Sequence, residues 1–241
     1  MKLYILALLV FFISCSTKQL EKGIEKNQNL NATKDAQRDT IVQNTEIIEV
    51  FSDSLNIGEK GKCKIEIVKH RVLDDTYLIV KFYTKGPKYW YHQNTYLYET
   101  TALMGLEPNI SDFNNDNLND ITIVSAAAAR GANEVRRLFI YNKKEKQLIS
   151  IVNSEEYPNI LYNSELDCID AFLVHGGSTT VFARIEGDSL KEFASVNNDN
   201  SRTVYEIDNI GNRKLIRRDT IIDSDDVYIR YKNYKPLKES E

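Results

Sequence analysis

The sequence predicts an all-β domain, an antiparallel sandwich or a barrel or propeller-like arrangement, on three observations. Short runs after residue 45 alternate apolar and polar residues at a period of two, the pattern of half-buried strands. Turn-forming clusters, "EGDS", "NNDNS", "DNIGN" and "DSDD", punctuate the gaps between those runs. The chain carries 14 Tyr and 9 Phe against 4 Pro, a usage that suits strands. No long segment of period 3.6 competes.

The chain opens "MKLYILALLVFFISCSTKQ". One lysine, an apolar run and small residues around Cys15 are the parts of a secretory signal, and the run is too short for a convincing membrane span. "FFISC" resembles a bacterial lipobox, in which the cysteine is lipidated and becomes the new N-terminus. On this reading residues 1–14 are a signal peptide and Cys15 holds the protein to a membrane. A plain signal peptide or an uncleaved anchor is the alternative. Residues 15–45 are rich in Lys, Gln, Asn and Asp and lack aromatics, so they bury too little to offset the entropy of ordering. They read as a flexible tether. Residues 46–241 have the length of one domain.

Net charge is −4, and the 27% charged residues are mixed in sign along the chain. Counterion-release binding needs clustered Lys and Arg, which excludes nucleic acid as a partner. "CKIEIVKH" and "TYLIVKFYT", joined across "VLDDT", read as an antiparallel hairpin, and "KYWYHQNTYLYET" as a third, aromatic-rich strand after Gly86-Pro87. "DITIVSAAAA", "EVRRLFIYN" and "LISIV" follow. Four alanines tempt a helix, but the run opens from a β pattern and stops at Gly131, so it reads as a strand end leading into a loop. Further strands are expected at "CIDAFLVH", "TTVFARIEG", "SLKEFASV", "RTVYEID", "RKLIRRDTII" and "DVYIRYKNY". Cys63 and Cys168, both at strand starts, are a candidate disulfide pair or two buried thiols.

The segment with the most pointed chemistry is Asp112 to Asp120, "DFNNDNLND". Counting Asp112 as the first position, side-chain oxygens fall at the first, third, fifth and ninth (Asp112, Asn114, Asp116, Asp120), and Leu118 at the seventh offers a carbonyl. Ca²⁺ takes hard oxygen ligands from loops of this spacing. Asn117 stands where such loops usually carry Gly, and Asn tolerates the left-handed conformation that position needs. Ile123 stands where an EF-hand has its bidentate Glu, and a β pattern follows, so the loop is not an EF-hand. A self-capped Asx turn is the competing reading.

No catalytic constellation stands out. His70, His92 and His175 lie in separate strand regions without zinc spacing. Ser178 lies in "VHGGSTTVF" without the Gly-x-Ser-x-Gly elbow. Glu99, Glu107, Glu134 and Glu165 could supply paired carboxylates, but no spacing selects a pair. Arg130, Asn133, Glu134, Arg136 and Arg137 form a polar cluster that binds a partner or pairs its own charges. The Gly-rich turn His175, Gly176, Gly177, Ser178 and Thr179 reads as a hairpin tip and a candidate recognition loop.

"DFNNDNLNDITIV", then "RGANEVRRLFIYN", a Lys-rich turn and "LISIVNSEEYPNI", together resemble bacterial calcium-loop β lipoproteins related to periplasmic inhibitors of I-type lysozymes and to immunity proteins against peptidoglycan hydrolases. The likeness covers Asp112 to Phe182. It implies a compact antiparallel β domain with bound Ca²⁺, held on the periplasmic side of the envelope and acting by binding rather than as an enzyme. Asp112, Asn114, Asp116, Leu118 and Asp120 would then be the calcium ligands, and the His175–Thr179 turn the part that enters a hydrolase's cleft. The rival readings are a non-catalytic glycan-binding or structural envelope lipoprotein using its tyrosine-rich face, and a glycan hydrolase.

Overall fold

The computed structural model describes residues 45–221 and 227–240; the expected signal peptide, Cys15 and the tether up to residue 44 lie outside the described residues. The described chain is all-β. A first sheet takes β1 (Thr45–Asp53), β2 (Cys63–Val72), β3 (Asp75–Lys85) and β4 (Trp90–Thr100). A second takes β5 (Asn109–Ser111), β6 (Asp120–Ala128), β7 (Asn133–Asn142) and β8 (Gln147–Ser150). The third is a six-stranded meander of β9 (Leu161–Asn163), β10 (Cys168–Val174), β11 (Ser178–Glu186), β12 (Ser189–Asn198), β13 (Ser201–Ile207) and β14 (Arg213–Thr220). A C-terminal hairpin, β15 (Tyr231–Tyr234) and β16 (Leu237–Glu239), completes the fold. In each sheet strands adjacent in sequence are adjacent in space, and among the described residues no sheet closes into a barrel. The architecture is an antiparallel sandwich.

Burial pattern shows how the sheets stack. In the first sheet one face is covered: Cys63, Ile65 and Ile67 of β2 and Leu78, Val80 and Phe82 of β3 are buried while their neighbours in sequence are not. They pack on Ile121 and Ile123 of β6 and on Phe139 and Tyr141 of β7. Tyr96 and Tyr98 of β4 tie the same two sheets, the first donating from its hydroxyl to the Leu148 carbonyl at 2.7 Å and the second sharing a 2.7 Å hydrogen bond with Ser150. Lys69 continues the inward face of β2. It is buried, donates from Nζ to the Met104 carbonyl, and has its pKa lowered by burial against the opposing pull of Glu49.

The second sheet is covered on both faces, which is why β6 and β7 read as continuous apolar runs rather than alternations. Phe139 and Tyr141 face the first sheet, whereas Leu138 and Ile140 face the third, where they meet Ile169, Ala171, Val181 and Ala183. The third sheet in turn uses its far face, Phe182, Ala194, Val196 and Val204, to pack the C-terminal hairpin through Tyr231 and Tyr234. Three cores therefore lie in series. Each buried Leu, Ile or Phe contributes roughly 1.5–3 kcal/mol by area removed from water.

Two sequence expectations need correction. The strand expected over "DVYIRYKNY" is confined to Tyr231–Tyr234. Upstream the Val227 carbonyl accepts the Ser178 hydroxyl at 2.7 Å, and at the strand's start the Tyr231 amide donates to Thr180 Oγ1 at 3.1 Å, so side chains of β11 engage backbone groups that a partner strand would otherwise take. β1, which opens at Thr45, is an edge strand of mixed acidic and apolar residues. Cys63 and Cys168 are free thiols: the first belongs to the core between the first two sheets and the second to the core under the C-terminal hairpin.

Candidate functional site

The oxygen-rich segment is the β5–β6 connection, closed at its root by the Ser111–Asp120 pair. Backbone amides draw its acidic side chains inward. Asp112 accepts the amides of Asn114 and Asp116 at 3.2 Å on Oδ1 and that of Asn117 at 2.8 Å on Oδ2. Asn114 Oδ1 accepts the Asp116 amide at 3.3 Å while its Nδ2 donates to Asp116 Oδ2 at 3.2 Å. Asp116 Oδ1 accepts the Leu118 amide at 2.8 Å. Asn115 and Asn117 adopt left-handed φ of 59° and 64°, so Asn117 does take the conformation usually supplied by Gly.

Asp120 differs from the others because it is fully buried. Its Oδ2 accepts the Phe113 amide and its Oδ1 the Tyr141 amide, both at 2.8 Å, which pins the loop to β7. Burial, with help from the charges of Asp116 and Asp112 and against the two amide hydrogen bonds, pushes its carboxyl up to about 7. The loop is held from another side as well. The Asn119 carbonyl accepts the Gly58 amide at 2.8 Å, and Asn119 Nδ2 donates to the Asn56 carbonyl at 2.9 Å. Phe113 enters the core between the second and third sheets, whereas Leu118 packs on the core between the first and second. The loop thus staples two cores.

Among the described residues no three His, Cys, Asp or Glu side chains form a group disposed to hold a metal ion. Asp112, Asn114 and Asp116 form one hydrogen-bonded turn, and Asp120 lies at its base. The donor set suits a hard cation in kind: oxygens only, three of them on carboxylates, with two lone pairs per oxygen so that an amide contact does not exhaust an acceptor.

The His175–Thr179 turn is less open than its composition implies. His175 and Gly176 are exposed at the tip of the β10–β11 hairpin, but Gly177 and Ser178 are buried. A Cβ on Gly177 would stand 2.0 Å from the Asn198 carbonyl oxygen. Ser178 is held by Val227, and Thr179 Oγ1 donates to Asn197 Oδ1 at 2.6 Å while bonding His175 Nε2 at 3.0 Å. Of the five residues, the first two and the edge of Thr179 are available to a partner.

The remaining candidates stay apart. His70 stacks on Tyr77, His92 lies against Tyr83 and Thr95, and neither meets His175. Within the cluster around "ANEVRR" Glu134 pairs with Arg136 at 2.5 Å, while Arg137 reaches outside it to Glu155 at 2.9 Å and lies 4.0 Å over the Tyr98 ring; Glu165, elsewhere, pairs with Lys238 at 2.5 Å. Burial raises the pKa of Cys63 and pushes Cys168 up to about 12, which keeps both thiols protonated and poor nucleophiles. The clamp on the Tyr141 amide and the Gly58–Asn119 bridge were not legible in the sequence, since both join segments distant along the chain.

No protein-family model matches the chain, and no curated protein matches it. One solved structure that resembles it is of a Xanthomonas type IV secretion system related protein, with a TM-score of 0.43 and 9% identity over 70% of this chain and 93% of that one. A likeness so distant carries neither a family nor a function.

Proposed function

We propose that the protein is an envelope-anchored lipoprotein, held by a lipid on Cys15, whose calcium-braced β domain binds a protein partner of the lysozyme-like peptidoglycan hydrolase class and inhibits it. The observation that carries the calcium part is the β5–β6 loop: Asp112, Asn114, Asp116, the Leu118 carbonyl and Asp120 supply only oxygens, and the loop staples two cores. A bound Ca²⁺ would offset the mutual repulsion of the three carboxylates. The chain's own residues do the rest. Asp120 fixes the loop to the Phe113 and Tyr141 amides, and hydrogen bonds from His175 to Gly177 and Thr179 brace the β10–β11 tip, which lowers the ordering cost of binding a cleft.

The test is calorimetric titration of chelator-treated protein with Ca²⁺, alongside thermal unfolding with and without the ion. The expected result is one bound ion and a raised melting temperature, both lost in Asp116→Ala, followed by slower turnover of peptidoglycan by a lysozyme-like hydrolase when the protein is added. No binding and no shift would reduce the loop to a self-capped turn and remove the main support for this reading. A glycan-binding role is the second reading, favoured by Tyr89 and Tyr91, which are 72% and 53% exposed at the β3–β4 tip. Retention on peptidoglycan without inhibition would put it first.

A further inference from the structure

Between Asp75 and Glu99 the chain has no acidic residue, although the whole protein carries −4. That run is β3, β4 and the connection "KGPKYWY", which sets Lys85, Lys88, Tyr89, Trp90 and Tyr91 at one end of the first sheet. The connection is tight and braced. The Gly86 amide donates to the Tyr89 carbonyl at 2.8 Å, and a Cβ on Gly86 would stand 1.9 Å from the Tyr91 ring, so that ring lies against the turn backbone. Lys85 Nζ lies 5.9 Å from the centroid of the Trp90 ring. Lys85, Lys88, Tyr89 and Tyr91 are exposed, and Trp90 is half-buried.

Two further segments bring lysines to the same corner. The Lys85 amide donates to the Lys62 carbonyl at 2.7 Å, which ties the tip to the β1–β2 connection, and Glu59 of that connection pairs with Lys62 at 3.7 Å and with Lys143 of the β7–β8 turn at 3.9 Å. The β7–β8 turn "KKEK" adds Lys144 and Lys146, both exposed. Among the described residues no ion pair engages Lys60, Lys85, Lys88, Lys144 or Lys146. The carboxylates of these three segments are Glu59, shared by two lysines, and Glu145, which accepts Gln147 Nε2 at 2.7 Å. Asp112 and Asp116 belong to the other edge of the sandwich. There the β5–β6 loop meets Asn56 and Gly58, whereas β8 meets β4 through Asn94 and Tyr96 on the Leu148 carbonyl.

The corner is therefore cationic and aromatic at once. Tyr and Trp pair an apolar ring with a polar edge, which suits the headgroup level of a bilayer, and Lys extends an apolar stem while its ammonium stays among the headgroups. Clustered lysines are drawn to anionic lipid. We propose that this corner docks on a bilayer surface bearing anionic phospholipid headgroups, with Lys60, Lys85, Lys88, Lys144 and Lys146 meeting the phosphates and Tyr89, Trp90 and Tyr91 lying at headgroup level. The contact uses neither Cys15 nor the calcium loop, so it can fail without them and they without it.

Trp90 is the sole tryptophan of the chain, so its fluorescence reports the tip alone. The full chain is titrated with vesicles of phosphatidylcholine and with vesicles of phosphatidylcholine mixed with phosphatidylglycerol, each with and without lipid brominated on the acyl chain near the headgroup. The apolar N-terminal run meets both kinds of vesicle, so the difference between them reads the charge of the corner. A blue shift and quenching by brominated lipid are expected on the anionic vesicles only, half-saturated at roughly millimolar lipid and reversed by salt. Lys88→Gln and Lys144→Gln should each weaken the response about fivefold at unchanged melting temperature, since both side chains are exposed and unpaired. An equal response on neutral vesicles, none on anionic ones, or affinity unchanged in the double variant overturns the proposal. The same shift with soluble peptidoglycan fragments in place of vesicles also overturns it and gives the tip to the glycan reading.

Discussion

Asp53 shows how this chain spends its acidic residues. It ends β1, and its Oδ1 accepts the amides of Leu55, Asn56 and Ile57 while Oδ2 accepts Asn56 Nδ2. Asp112 and Asp208 do the same in their own turns, so the oxygen-rich loop is one of three built alike, and the buried Asp120 sets it apart. At Asp53 burial works to raise the pKa, but the hydrogen bonds outweigh it and leave the carboxyl below its ordinary value of 3.8. A folded pKa below the unfolded one means that the stabilisation is present above the unfolded pKa and lost as pH falls through the folded one. Asp53→Asn keeps one acceptor oxygen and cannot titrate. It should cost about 1 kcal/mol at about pH 7, with the gap to the parent closing at about pH 2.5, as read from urea unfolding midpoints. A gap of equal size at both pH values would show that the charge of Asp53 does not matter to the turn.

At the scale of elements, the β10–β11 hairpin separates backbone need from surface opportunity. The two glycines at its tip look equivalent in the sequence, but space beyond Gly176 is open while a Cβ on Gly177 would collide with the Asn198 carbonyl of β12. Gly177→Ala should therefore cost about 2 kcal/mol or more by forcing β11 and β12 apart, whereas Gly176→Ala should stay within about 0.5 kcal/mol of the parent. Chemical denaturation of the two variants decides it, and equal stabilities would mean the strands part more easily than their hydrogen bonding implies. The same hairpin marks the limit of what was legible. Period-two alternation located β2 and β3 because Ile65, Ile67, Leu78 and Val80 face one core and their neighbours face water. It did not reveal that Ser178 is covered, because the residues covering it lie near the C-terminus. Short strands such as β5, β9 and β16 are too brief for periodicity to register.

Across the whole molecule, the sheets are joined by polar clamps set between apolar cores, and the C-terminal clamp is the most exacting. Asp170 of β10 is buried, and its Oδ1 accepts Arg230 Nε at 2.8 Å together with a second guanidinium N–H, while Oδ2 accepts Asn163 Nδ2 at 2.9 Å. Asn163 also donates to the Lys232 carbonyl at 3.1 Å, so the clamp delivers Tyr231 to the third core. Burial raises the pKa of Asp170, and Arg230 works against that rise. Removing Arg230 leaves a buried carboxylate without its cation, a change that costs about 3–5 kcal/mol where such pairs have been broken. Because the folded pKa of Asp170 already lies above its unfolded value, ionisation opposes folding, and losing the guanidinium raises that pKa further. The penalty in Arg230→Ala should therefore be largest at about pH 7 and shrink toward about pH 4, where the carboxyl takes up a proton. Adding Asp170→Asn to Arg230→Ala should recover part of the loss at about pH 7, since the uncompensated charge is gone. Urea unfolding of the parent, both single variants and the double variant at the two pH values measures this coupling. A loss below about 1 kcal/mol in Arg230→Ala, or one that is the same at both pH values, would mean that the apolar packing of Tyr231 and Tyr234 and the neutral hydrogen bonds to Thr180 and Asn163 hold the C-terminal hairpin to the third sheet without help from the ion pair.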